Sequence, residues 1–242
     1  MRIFVPQSEE DSEIFIEGDD ARHLFALRPQ PKDKVICGDG KAFIYEAEIG
    51  SVKKDGLFIK IGKKIPIEKR KTEITLFQAF LKGDKNEFVI QKATELGIDR
   101  ITFFSSENCV VKLDDKKKAQ KKDRFEKIAR QAAMQCERET IPEITDFIDF
   151  NDMPTAAAEK NGIFFYEKAF ALGKPLLSSY LSENKLSKFF SFTVGPEGGF
   201  SLKEVNKASE RLPIISLGKR ILRAETVPLT ALSLIAAAAG EI

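Results

Sequence analysis

Glu197, Arg223 and Glu225 stand beside two glycine-bearing turns, each of which closes an apolar run. The first turn reads Thr193-Val194-Gly195-Pro196-Glu197-Gly198-Gly199-Phe200-Ser201; the second reads Leu217-Gly218-Lys219-Arg220-Ile221-Leu222-Arg223-Ala224-Glu225-Thr226. Without a Cβ, glycine lets backbone N–H and C=O groups come close to a buried ligand. A helix starting just beyond adds free N–H donors. The first turn is neither a P-loop nor a GxGxxG, and the charge of Glu197 repels phosphate. ATP and NAD are therefore disfavoured, and a cationic or hydroxyl-bearing ligand suits the turn better. Arg223, between Leu222 and Ala224, is a cation beside apolar neighbours. It is expected to pair with Glu225, Glu197 or a bound anion.

The elements around these turns follow from periodicity. Residues 189–194 read as a strand running into the first turn. Ser201 and Glu204 have capping-box spacing, and Phe200 and Val205 stand where a hydrophobic staple belongs. Residues 214–217 form a short strand before the second turn, and Pro228 fits the first turn of a final helix whose Leu229, Leu232 and Ala236 have core spacing. Upstream, 74–81, 100–104, 144–148 and 163–166 are apolar strand runs. A helix opened by Asp84 and Glu87 and stopped at Gly97 lies between the first two. A long helix spans 116–137, with Phe125, Ile128, Ala129, Ala132 and Ala133 on its apolar stripe. Near-continuous apolar strands alternating with helices predict a parallel sheet of α/β class.

The N-terminal part has a different rhythm. Short β-type runs at 2–5, 13–16, 34–37, 42–49 and 57–61 are separated by turn residues, with one helical turn near 20–27, which predicts a small barrel. Residues 63–71 are rich in charge and are read as the link between a domain over 1–70 and another over 71–242. That link is a solvated connector or a phosphate contact.

Hydrophobic residues make up 43% of the chain, ample for a core, and the formal net charge is only +2. Any nucleic-acid surface must therefore be local, as in the run of Lys116, Lys117, Lys118, Lys121, Lys122 and Arg124. One histidine (His23) and three scattered cysteines (Cys37, Cys109, Cys136) give no metal set and argue against a Ser/His or Cys/His nucleophile. The start lacks the apolar core of a signal peptide, and no apolar run reaches membrane-spanning length. A soluble, cytoplasmic protein with reduced thiols is expected.

The two C-terminal motifs together resemble the RsmE family, small-subunit ribosomal RNA methyltransferases that modify N3 of a uridine. Further matches are His23-Leu24 to Leu27-Arg28, Gln91-Lys92-Ala93-Thr94-Glu95-Leu96-Gly97, Ser106-Glu107, Gln135 with Arg138 and Pro142, and Tyr166-Glu167. The resemblance implies a PUA-like β-barrel followed by a SPOUT-class α/β domain whose C-terminal segment forms a trefoil knot. It implies S-adenosylmethionine as cofactor, small-subunit (16S) ribosomal RNA or the ribosomal subunit as partner, and a homodimer completing each site across its interface. Carried onto this chain, cofactor contacts fall on Thr193, Gly195, Pro196, Glu197, Gly198, Leu217, Gly218, Ile221, Leu222 and Thr226. Catalytic roles fall on Arg223 as a fixed cation and on Glu197 and Glu225 as a base or as partners orienting Arg223. RNA contacts fall on Arg22, Lys63, Lys64, Lys112 and Arg138, with Lys53 and Lys54 adding charge to the barrel.

Two other readings remain open at this point. One is a methyltransferase of the same class acting on transfer RNA or on a ribose 2′-hydroxyl. The other is a non-enzymatic RNA-binding assembly factor. The chain departs from the family pattern at Asn108-Cys109, which replaces an Arg-Ser pair, at Met134, which replaces a Glu, and at residues 29–32, which replace a Gly-bearing turn. The first two are expected to bear on RNA contact and the third on barrel geometry, with the cofactor turns untouched.

Overall fold

Alternation in the N-terminal part is realised as strands with one buried face. The computed structural model describes residues 2–6, 12–68, 70–109 and 114–242. It contains β1 (Arg2–Phe4), β2 (Glu13–Glu17), α1 (Gly18–Phe25), β3 (Lys34–Gly38), β4 (Phe43–Val52) and β5 (Gly56–Pro66). These strands form one sheet in the order β1-β3-β4-β5-β2, parallel only between β1 and β3. Tyr45, Ala47 and Ile49 of β4 and Leu57, Ile59 and Ile61 of β5 turn inward every second residue. Two register shifts between β4 and β5, at Tyr45/Ala47 and Ile49/Ser51, bend the ribbon.

Residues 133–141 belong to the same compact unit as residues 1–69. Ala133 and Met134 join its core cluster, and the N–H of Ile141 donates to the carbonyl of Gly40 at 2.9 Å. Met134, a departure expected to bear on RNA contact, is thus a core residue, 5% exposed. Lys63 and Lys64 were expected in a connector; β5 instead runs on to Pro66, which places both in a strand. The turn at 29–32 is made without glycine. Arg28 and Lys32 take left-handed conformations (φ 53° and 75°), and the N–H of Lys32 donates to the carbonyl of Ile49 at 2.7 Å.

The second unit, residues 70–132 and 142–242, carries the parallel sheet. In chain order it has β6 (Glu73–Ala79), α2 (Lys85–Glu95), β7 (Arg100–Ser105), α3 (Asp115–Gln135), β8 (Glu143–Ile144), β9 (Ile148–Asp149) and α4 (Met153–Ala158). There follow β10 (Gly162–Phe165), α5 (Leu177–Glu183), β11 (Phe189–Val194), α6 (Leu202–Ser209), β12 (Ile214–Ile215) and α7 (Val227–Ala239). The strand order is β12-β10-β11-β6-β7-β8, with β9 also on β7, and every pair is parallel. Ile74, Leu76, Phe77 and Ala79 of β6 and Phe190, Phe192 and Val194 of β11 are buried, as a sheet covered on both faces requires.

Two local expectations fail here. The run 144–148 is not one strand. It breaks after Ile144, where Thr145 donates its hydroxyl to Thr102 at 2.8 Å, and Phe147 turns edge-on to the Phe80 ring at 5.0 Å. Asp84 precedes α2 but makes no side-chain cap bond, and Glu87 pairs instead with Arg124 at 2.8 Å. Buried Asn86 fixes the entry to α2 in their place: its Oδ1 accepts the Leu81 N–H at 2.9 Å and its Nδ2 donates to the Leu81 carbonyl at 2.7 Å.

Candidate active site

The first glycine turn has a fixed exit. Ser201 caps α6 by accepting the Glu204 N–H at 3.3 Å, and Glu204 Oε2 accepts the Ser201 N–H at 3.0 Å, completing the expected capping box. Glu204 Oε1 also accepts the hydroxyl of Ser106 and the N–H of Glu107, both at 2.9 Å. Phe200 and Val205 lie in one core cluster, where the staple places them. The Phe200 ring sits 4.4 Å from that of Phe164 and is also held by Phe104 and Phe150. A Cβ at Gly195 would stand 2.7 Å from this immobile ring, so the turn takes no larger residue there. The second turn is held by Ser216, whose Oγ accepts the Gly218 N–H at 3.0 Å, with Gly218 at φ 110°.

Between these turns lies a cavity of about 500 Å³. It opens at the carboxyl ends of β10, β11 and β12, neighbours in the sheet, which is where parallel α/β sheets bind ligands. Its walls are residues 165–167, 194–200, 215–218, 220–225 and 227, with Lys85 from the start of α2. Both turns, with Leu217, Ile221 and Leu222, line it, a mixed polar and apolar surface of a size that holds a small organic ligand.

The charges pair differently from expectation. Lys85 Nζ lies 3.1 Å from Glu197 Oε1 and 3.3 Å from Glu225 Oε2. The Lys82 N–H donates to the same Glu197 oxygen at 3.1 Å. Partial burial pushes the Glu197 carboxyl up. The hydrogen bonds from its own N–H, from the Lys82 N–H and from Lys85 outweigh that and hold it below its usual 4.5. Lys85 is raised by its bond to Glu197 first, against its own desolvation, and then by Glu225. Glu225 Oε2 is buried and makes no hydrogen bond; Lys85 is its counter-charge. Arg223 is exposed on the cavity wall and has no side-chain partner among the described residues. The expected Arg223–carboxylate pair is therefore absent. Solvent covers the guanidinium, which removes the desolvation cost that the pairing was meant to offset.

The remaining site expectations divide. Gly195, Pro196, Glu197, Gly198, Leu217, Gly218, Ile221, Leu222, Arg223 and Glu225 all line the cavity. Thr193 and Thr226 do not. Thr193 is fully buried and donates its hydroxyl to the Met153 sulfur at 3.4 Å, while Thr226 is exposed ahead of α7. Arg22, Lys63, Lys64 and Arg138 all fall in the first unit. Arg22 pairs with Asp19, Lys64 Nζ lies 3.9 Å over the Phe43 ring, and Arg138 donates to Thr140 Oγ1 at 3.3 Å. Lys112 lies outside the described residues.

Of the basic run opening α3, Lys117 pairs with Asp114, Lys122 with Asp146 and Arg124 with Glu87. Asn108 was expected to bear on RNA contact and to leave the cofactor turns untouched. Its Nδ2 donates to the carbonyls of Gly199 (3.0 Å) and Gly198 (3.4 Å), because the loop after β7 closes over the first turn. Lys85 escaped sequence reading; the signal available was a lysine opening the helix after a central apolar strand. No cluster of metal-ligating groups and no helix long and apolar enough to cross a membrane occurs among the described residues.

A parallel sheet with a cofactor-sized cavity between backbone-lined turns at its carboxyl edge defines an α/β enzyme domain. A family model described as RNA methyltransferase domain matches residues 68–236, and one described as RNA methyltransferase PUA domain matches residues 16–62. The chain is 33% identical to ribosomal RNA small subunit methyltransferase E of Bacillus subtilis, over 95% of this chain and 91% of that protein. Its fold matches the crystal structure of the corresponding Neisseria gonorrhoeae protein bound to S-adenosyl methionine (TM-score 0.84, 27% identity, 98% and 96% of the two chains). It also matches a putative methyltransferase of Legionella pneumophila in complex with the same cofactor (TM-score 0.85, 30% identity, 98% and 97%). The chain belongs to the ribosomal RNA small subunit methyltransferase E family.

Proposed function

We propose that this chain transfers a methyl group from S-adenosylmethionine to N3 of a uridine in small-subunit ribosomal RNA. The observation that carries the reading is the single cavity walled by both glycine turns. The cofactor fits the residues present. Gly195, Gly198 and Gly218 of the two turns line the cavity, and a buried carboxylate oxygen of Glu225 has lone pairs free for a ligand donor. When bound, the cofactor supplies an electrophilic methyl group on a sulfonium. The backbone of residues 195–198 and 217–222 holds its adenosine and methionine parts.

The N3–H of uracil is a weak acid; its proton passes to solvent water, and the chain must stabilise the anion that then takes the methyl group. Arg223 has an exposed guanidinium on the cavity wall with no side-chain partner among the described residues, and is suited to this. Glu197, held below its usual range by hydrogen bonds, is a poor proton acceptor, and its role is to anchor the first turn on Lys85. N3 lies on the pairing edge, so the target base enters unpaired or flipped out.

In this reading residues 71–242 perform the transfer and residues 1–70 position the RNA through Arg22, Lys63, Lys64 and the neighbouring Arg138. Two chains pair so that a second copy covers the cavity rim, where Ile221 is 78% exposed. The C-terminal segment carries the trefoil knot that the family resemblance implies, and the enzyme works in the cytoplasm.

The test is methyl transfer from labelled cofactor to purified, unmodified small subunits, followed by nuclease digestion and mass spectrometry. The expected product is N3-methyluridine. Label on a ribose, or on transfer RNA alone, would move the reading to another substrate. No label from a protein that still binds cofactor would sink it in favour of an assembly factor.

A further inference from the structure

Three loops meet at the carboxyl edge of the parallel sheet: the entry to α2, the first glycine turn and the loop before α7. Lys85 is the residue they share. Its ammonium contacts Glu197 of the first turn at 3.1 Å and Glu225 of the second at 3.3 Å, and all three side chains line the cavity. Its backbone is fixed by the neighbouring Asn86, which is fully buried and bonded in both directions to Leu81. Glu225 Oε2 is buried without a hydrogen bond, so removing the ammonium leaves a buried carboxylate oxygen uncompensated. The other cations on the cavity wall, Arg220 and Arg223, are exposed and reach neither carboxylate.

We propose that Lys85 is a positioning residue of the methyl-transfer site: it clamps the two cofactor turns together through Glu197 and Glu225 and does not touch the reacting atoms. The proposal rests on the methyltransferase reading above. Clamping the turns sets the width of the cavity before a ligand arrives, and a preformed cavity binds more tightly than one the ligand must close. An arginine reaches the same two carboxylates with a cation of fixed charge, whereas a methionine keeps the length and apolar stem but loses the charge.

The experiment is calorimetric titration of S-adenosylmethionine into the full chain, its Lys85→Met and Lys85→Arg variants, and the Lys85→Met/Glu197→Gln double variant, with thermal unfolding of each. Lys85→Met is expected to weaken cofactor binding about tenfold or more, a free-energy change within the range for breaking a charged pair. Its KM for cofactor should rise by a similar factor while kcat falls less. Lys85→Arg should recover most of the affinity. Adding Glu197→Gln to Lys85→Met should cost little more, because the clamp is already open.

A Lys85→Met protein that binds cofactor as tightly as the natural chain would overturn the clamp while leaving the methyltransferase reading intact. So would weakened binding in Lys85→Met that Lys85→Arg fails to rescue while both unfold at the natural temperature. A natural chain that binds no cofactor would overturn the functional reading and the clamp together.

Discussion

The carboxylate of Glu204 accepts the hydroxyl of Ser106 at 2.9 Å, joining the first turn of α6 to the end of β7 across 98 residues of chain. The same side chain closes the capping box with Ser201, so one buried residue, 6% exposed, satisfies three donors. Glu204→Ala strands the N–H groups of Glu107 and Ser201 and the Ser106 hydroxyl. The expected cost is about 2–4 kcal/mol in chemical denaturation. A loss below about 0.5 kcal/mol would mean that water replaces the carboxylate there, at no more than the effect of an ordinary surface substitution.

Gly195→Ala should damage binding and stability together. The added methyl group meets the Phe200 ring at 2.7 Å, and that ring is hemmed in by Phe104, Phe150 and Phe164. Overpacking of this kind costs about 1–3 kcal/mol. Phe200 can yield only by shifting the turn that lines the cavity, so S-adenosylmethionine affinity measured by calorimetry falls with it. Unchanged affinity would show that the turn moves without touching the ligand site.

The parts of this molecule that were legible in the sequence are those fixed by local chemistry. The capping box at Ser201 and Glu204 follows from spacing alone, as do the αL stop at Gly97 and the buried parallel strands β6 and β11. Both glycine turns were legible because only glycine suits Gly195 and Gly218. The failures lie where partners come from distant segments. Arg223, a cation beside apolar neighbours, was expected to pair with Glu225, Glu197 or a bound anion. Lys85, more than a hundred residues upstream of either carboxylate, takes both instead. Asp84 and Glu87 have capping-box spacing, yet Arg124 captures Glu87 from α3. The surroundings of Met134 and Asn108 were not legible for the same reason: what a side chain packs against is a tertiary fact.

The Glu197–Lys85 bridge should be insensitive to pH over the neutral range. A carboxyl held below its usual 4.5 contributes stability above that value and loses it as pH falls through the lower folded value. An ammonium raised above 10.5 contributes below that value and loses it as pH rises through the higher folded one. The difference in S-adenosylmethionine affinity between the natural chain and Glu197→Gln is therefore expected to stay flat from about pH 5.5 to about pH 9.5. A difference that vanished between pH 6 and pH 7 would mean that Glu197 titrates near neutrality and would restore it as a candidate base.

Thiol chemistry offers a check on the first unit. Cys37 of β3 is fully buried in the core of the first unit, and burial pushes its thiol up to about 12. Burial also raises Cys109, whose sulfur accepts the Ser106 N–H at 3.3 Å. Cys136 is only half-buried. A maleimide at neutral pH should modify Cys136 first in the native protein, and Cys37 only on unfolding. Mass spectrometry of the peptides reads the order, and early labelling of Cys37 would show that the core of the first unit opens readily.

Arg223 is the residue whose loss should separate binding from chemistry. It is exposed, it lacks a side-chain partner among the described residues, and it stands on the cavity wall beside Leu222. Removing it breaks no contact that holds the fold, so Arg223→Ala should unfold within about 0.5 kcal/mol of the natural chain. In the proposed reading the backbone of the two turns holds the cofactor, so its dissociation constant should stay within a factor of about two, a change of less than 0.5 kcal/mol. Turnover is different, because a cation aimed at a developing anion acts in the transition state and not in the ground state. Its removal should lower kcat by a factor of about 10²–10³. Arg223→Lys keeps the charge but not the planar fork and should recover part of that loss. Equal falls in affinity and turnover would assign Arg223 to cofactor binding, and unchanged turnover would remove it from the mechanism.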